Sequence, residues 1–176
     1  LDPVQGGDRL SEESPVLLVD WFSAVAYAEW YAERTGLPWR LPKGVEWEKA
    51  ARGPTARWFP WGDAFDASFA CTLHSHPGRP LPATIHDYPD DVSPYGVRGL
   101  GGNIRDWCCS AFEADDSDLV DGGRAEVVQA TTGSREIRGG SWLSAPRLVR
   151  SALRFGGSPT LRKETVGFRL ARSIDP

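Results

Sequence analysis

The chain has 176 residues, of which 40% are hydrophobic and 25% charged, with a formal net charge of −4. That is enough for one domain with a substantial core and short for two. The mild acidity gives no reason to expect nucleic acid or an anionic membrane as partner, and the longest apolar stretch, "SPVLLVDWF", falls far short of the ~20 residues a spanning helix needs.

Three cysteines, Cys71, Cys108 and Cys109, form no disulfide framework and point to a reducing, cytoplasmic setting. The opening "LDPVQGGD" is polar and turn-rich, unlike a secretory leader, and the chain contains no Met. The expectation is a single domain over residues 1–176, cut from a longer polypeptide whose upstream segment it contacts. Eight Trp, 19 Gly and 14 Pro predict a loop-rich fold in which large aromatics fill the gaps between few regular elements.

In chain order, "VDWFSAVAYAEWYAERTG" predicts a first helix. Asp20 is its N-cap, Trp21, Phe22, Val25, Ala28 and Tyr31 its apolar positions, and Gly36 its stop. "LPKGVEWEKAARG" predicts a second, starting after Pro42, with Val45, Trp47, Ala50 and Ala51 apolar and Gly53 ending it. Prolines break residues 54–102 repeatedly, yet "RWFPWG" is too aromatic for disorder, so ordered loops are expected over the helices. "NIRDWCCSAF" reads as a short buried strand, and "REIRGGSW" and "TVGFRLARS" as two more, the last with Val166, Phe168 and Leu170 on one face. Between them, residues 143–165 show neither period over most of their length.

Few residues form a recognisable reactive set. Cys71, His74 and His76 in "CTLHSH" are zinc-type ligands without a fourth partner, so two ordinary loop histidines are expected. Asp115, Asp116, Asp118 and Asp121 lack the order and the closing Glu of a calcium loop and read as a solvated acidic excursion. Cys108 and Cys109 are neighbours on a strand; alternation turns them to opposite faces, one inward as a small apolar group.

"RLPKGVEWEKAARG", "FPWGD", "DDVSPYGVRGLGGNIRDW", "IRGGSW", "RSALR" and "VGFRLAR" occur in this order between Arg40 and Arg172. Together they resemble the formylglycine-generating enzyme (sulfatase-modifying factor) family. The resemblance implies an α+β, C-type-lectin-like fold with a small twisted antiparallel sheet, two helices and extensive ordered loops. It also implies extra strands upstream of the first helix, of which only "SPVLLVDW" is evident here.

Oxidising members of that family carry a copper-binding cysteine pair after the glycines, in the pattern G-G-S-aromatic-x-C-x4-C. On this sequence the pair falls at Ser144 and Val149. Neither is a soft thiolate, so copper and formylglycine chemistry are not expected and no catalytic residue is assigned. Family calcium loops likewise imply a site at the Gly102 and Ile104 carbonyls and the Asp106 carboxylate. Gly99 stands where a ligating side chain is expected, and Cys71 where the other calcium loop has Asn, leaving at most a weak structural calcium. The arginines Arg138, Arg150, Arg154, Arg162 and Arg169 read as bridges between loop carbonyls and carboxylates.

What remains is a surface for a protein or small-molecule ligand, since recognition residues collect on loops held by a rigid scaffold. The candidates are Trp142, Leu143, Ser144, Ala145, Leu148, Val149, Leu153, Phe155, Gly156, Gly157, Thr160, Leu161, Lys163 and Glu164. The same segment resembles the variable region of diversity-generating retroelement variable proteins, although Lys163 and Glu164 are not reachable by that diversification. "DVSPYGV" resembles domains fused to bacterial signalling proteins such as Ser/Thr kinases. The alternatives to a binding module are thus a sensory domain and a divergent oxidoreductase completed by another domain.

Overall fold

The structure is a computed structural model describing residues 12–76, 78, 80–112 and 133–173. Two helices and a four-stranded sheet make its frame, with a two-stranded ribbon beside them. Helix α1 (Trp21–Thr35) starts where the Asp20 carboxylate accepts the Ser23 N–H at 2.8 Å. It ends at Gly36, whose left-handed backbone (φ 68°) lets its N–H reach the Ala32 carbonyl. The buried face is built from small residues, Ala24 and Ala28, so the helix lies close to its support. Phe22, expected inside, is instead 54% exposed, because one position along the helix turns a side chain through about 100°.

After strand β1 (Trp39–Arg40), α2 (Gly44–Arg52) begins as Glu46 accepts from the Lys43 N–H and pairs with Arg40 at 2.7 Å. It buries Trp47 and Ala51 as expected and leaves Val45, also expected inside, 75% exposed.

Strands β2 (Arg105–Ala111), β3 (Arg135–Arg138), β4 (Arg154–Gly157) and β5 (Val166–Phe168) form the sheet in the order β4-β3-β2-β5. The sheet is mixed rather than antiparallel throughout: β5 runs parallel to β2, pairing Arg105 with Val166. Strand β6 (Ala171–Arg172) leaves to pair with β1. Alternation along β2 divides the core in two. Trp107 enters a cluster with Ala24, Leu41, Ile137, Phe155 and Val166, while Cys108 enters another with Trp47, Ala51 and Leu100. Cys108 is therefore the inward thiol and Cys109 is half-buried; both are free, as the vicinal geometry required. Among the described residues no helix is long and apolar enough to cross a membrane.

Residues 143–165 hold more structure than their sequence pattern suggested. A 3-10 turn forms at Pro146–Leu148, and β4 follows. The alternation of β4 is masked because its inward positions are one Phe and two Gly: a side chain on Gly156 would collide with the Phe112 ring, and one on Gly157 with Ile137 and Trp107.

Candidate functional site: the loop after the glycine pair

The segment from Gly139 onward is tied down from every side. Gly139, at φ +85°, brings the chain against the Trp47 ring and the Leu100 carbonyl. The Ser144 hydroxyl then acts as a hub, accepting the Ser141 N–H at 2.9 Å and the Arg105 guanidinium at 3.0 Å. The Ser144 carbonyl accepts the Leu73 N–H. Arg105 itself lies 4.3 Å over the Phe155 ring, so one cation joins the serine hub to the core. Trp142 donates through its indole N–H to the Glu164 carbonyl, and its backbone N–H to Asn103.

The arginines behave as the bridges expected of them. Arg138 is 1% exposed and donates to the Ala152 and Leu153 carbonyls at 3.0 and 2.9 Å, and to Glu48. Arg154 pairs with Glu136 at 3.2 Å, and Arg162 with Asp20 at 2.7 Å. Hydrogen bonds from Ser23, with Arg162 beside them, hold the Asp20 carboxyl down to about 2. Arg150 is different: its guanidinium stacks 4.3 Å over Trp58, a ring 52% exposed, while the Ser151 N–H donates to the Trp58 carbonyl.

These ties divide the expected contact surface. Ser144 and Val149 are 1% and 0% exposed, and Phe155 4%; with Gly156 and Gly157, all five lie inside the protein and cannot meet a ligand from solvent. Leu148, Leu153 and Leu161 are half-buried against the core, so the apolar side chains of the expected surface reach solvent mainly at its edge. Leu143, Thr160 and Glu164 are exposed, with Trp142, Ala145 and Lys163 half-buried around them. Two exposed apolar neighbours of these loops had not been marked in the sequence: Leu73, 40% exposed and hydrogen-bonded to Ser144, and Trp58. A second Trp beside "FPWG" was the available signal for Trp58; nothing in "CTLHSH" marked Leu73.

The implied calcium does not fit. Calcium needs 6 to 8 oxygens, yet Asp106, 4% exposed, gives its Oδ2 to the Trp47 indole at 2.8 Å and to Arg169 at 2.6 Å. A guanidinium already neutralises the only carboxylate of the expected set. Gly102 and Ile104 are buried beside it, Gly102 packed against the Cys71 carbonyl. Among the described residues no group of three or more His, Cys, Asp or Glu gathers for a metal. Cys71 lies 3.4 Å from His76, and burial pushes its thiol up to about 12, far from a thiolate ligand. The acidic run at Asp115–Asp121 lies outside the described residues.

Asp91 carries the turn that precedes β2. Its carboxylate, 2% exposed, accepts the N–H groups of Gly101 and Gly102 at 2.9 and 3.2 Å, yet burial raises its pKa to about 6 from 3.8. The folded state therefore holds a proton that the unfolded chain has released. This group's contribution is fully present below pH 3.8 and is lost as pH rises through 6. Thermal unfolding should show stability increasing from pH 7 to pH 4.5, and Asp91→Asn should flatten that slope; an unchanged slope in the variant would remove Asp91 as its source.

Helices packed against a small mixed sheet, with most of the described residues in loops, define an α+β protein of the formylglycine-generating-enzyme type. The family model described as "Sulfatase-modifying factor enzyme 1-like domain" matches residues 4–174, and the chain belongs to that family. A hercynine oxygenase of Mycolicibacterium smegmatis is 32% identical over 176 residues, covering 95% of this chain and 39% of the relative. The serine/threonine-protein kinase pkn1 of Chlamydia pneumoniae is 32% identical over 167 residues, 92% of this chain and 24% of its own length. The chain thus spans well under half of these relatives. The solved structure of Treponema denticola variable protein 1 superposes with a TM-score of 0.74 at 22% identity, over 96% of this chain and 76% of that one. At that identity it speaks for the fold alone.

Proposed function

We propose that this domain binds a ligand and performs no oxidation of its own. One observation carries the reading: at the two positions where the family resemblance implies a copper-binding thiol pair, Ser144 is spent on hydrogen bonds to Ser141 and Arg105, and Val149 is sealed in the interior. Neither can ligate a soft metal or meet a substrate. The contact surface is the edge of the same loops, Leu143 and Leu73 at the serine hub and Trp58 with Arg150 beyond it. Exposed aromatic and guanidinium groups on a fixed backbone suit recognition of a protein or small molecule. Kinship with a kinase favours the setting of a sensory domain in a longer signalling chain.

The competing reading is one half of a composite oxygenase, favoured by kinship with hercynine oxygenase. Metal analysis and oxygen uptake with thiol peptides, made on the whole polypeptide that carries this domain, separate the two. The binding reading expects neither stoichiometric copper or iron nor oxygen consumption, and either result would overturn it. On an immobilised peptide and glycan panel, Trp58→Ala and Leu143→Ser should weaken whatever ligand the wild type retains by about tenfold, the cost of a contact worth roughly 1.4 kcal/mol.

A further inference from the structure

The mismatch with calcium extends beyond a missing ligand. Arg169 sits where β5 ends, 27% exposed, and spends all three of its nitrogens on the loop before β2 and the start of that strand. Its Nε donates to Asp106 Oδ2 at 2.6 Å, its Nη1 to the Arg98 carbonyl at 3.1 Å and its Nη2 to the Gly99 carbonyl at 2.8 Å. A carboxylate and two loop carbonyls around one positive centre is the arrangement a bound cation would organise. Here a planar fork, pre-shaped for such acceptors, supplies the charge.

The backbone is adapted to it. Gly99 has φ +67°, a left-handed conformation in which a ligating side chain would be strained, and it contributes its carbonyl instead. Its N–H is held by the Asp91 carbonyl at 3.0 Å, so the loop is fixed on both sides of the guanidinium. The neighbouring carboxylate of Asp91 is turned onto the Gly101 and Gly102 N–H groups, which fixes the turn that leads into β2.

We propose that Arg169 is the internal cation of the segment 98–106, where the loop enters β2, and that the domain folds and stays folded without calcium. The melting temperature of the chain should then be the same in excess chelator and in excess calcium, and the purified chain should carry no stoichiometric calcium. Arg169→Gln should melt roughly 5–10 °C lower, since it strands a buried carboxylate and two carbonyls. Arg169→Lys, keeping the charge but not the fork, should fall between. Asp106→Asn combined with Arg169→Gln should cost less than the sum of the single changes, the mark of direct coupling. A calcium-dependent melt, about one calcium retained per chain, or an Arg169→Gln protein as stable as the wild type would each overturn the proposal. If Arg169→Gln fails to fold, Arg169→Lys and the wild-type calcium measurements decide it alone.

Discussion

Replacing Arg138 by alanine should cost about 3–5 kcal/mol of unfolding free energy, the usual penalty for stranding a buried ion-pair partner. Its side chain is 1% exposed and sits at the junction of three parts of the fold. It comes from β3, pairs with Glu48 of α2, and donates to the Ala152 and Leu153 carbonyls of the loop entering β4. Glu136, 5% exposed, lies 3.3 Å from its Nε and has Arg154 as its other partner. The substitution thus leaves one buried carboxylate half-compensated and two carbonyls without their donor, each a desolvation penalty of its own.

Urea unfolding with an unchanged m-value is the measurement, and a loss below about 1 kcal/mol would show that water replaces the guanidinium. Adding Glu136→Gln should recover part of the loss, because it removes the stranded charge while keeping the shape. Lysine should not restore stability, since a point charge cannot serve two carbonyls and a carboxylate in one plane.

Arg138 also shows what the sequence could and could not disclose. Arginines as bridges were legible from the motif spacing and the chemistry of the guanidinium, and so were both helices, the first through its local caps at Asp20 and Gly36. Strand β2 was legible as an apolar run. The contact surface was not. Whether Leu148 or Phe155 faces solvent depends on which strands flank it, and β4 is hidden in a stretch whose only periodic marks are one Phe between an Arg and two Gly. The parallel pairing of β5 with β2 was equally out of reach, because register between strands some 60 residues apart is set by tertiary packing. Val45 and Phe22 failed for a simpler reason: helical spacing fixes relative direction, while the face that is covered depends on what arrives to cover it.

Gly140→Ala should be nearly as damaging as Arg138→Ala, at about 3 kcal/mol, the upper end of the range for overpacking a filled core. An added methyl would fall inside the contact distance of the Gly101 carbonyl and Val149 Cγ1, and 3.0 Å from Val149 Cβ. Neither wall can give way. Gly101 is backbone, pinned by Asp91, and Val149 is fully buried. Gly140 is not in the left-handed region, so the penalty is steric and not conformational. Adding Val149→Ala should therefore relieve one wall, and the double variant should lose less than the sum of its parts in the same unfolding experiment; strict additivity would contradict the packing described. Val149 is sealed in the interior, whereas Leu143, Leu73 and Trp58, the residues of the proposed contact surface, are exposed. Gly140→Ala should then weaken binding only as far as it unfolds the loop, whereas Trp58→Ala should weaken binding with stability unchanged. A ligand lost in proportion to stability in both variants would place its site inside the loop instead of on its edge.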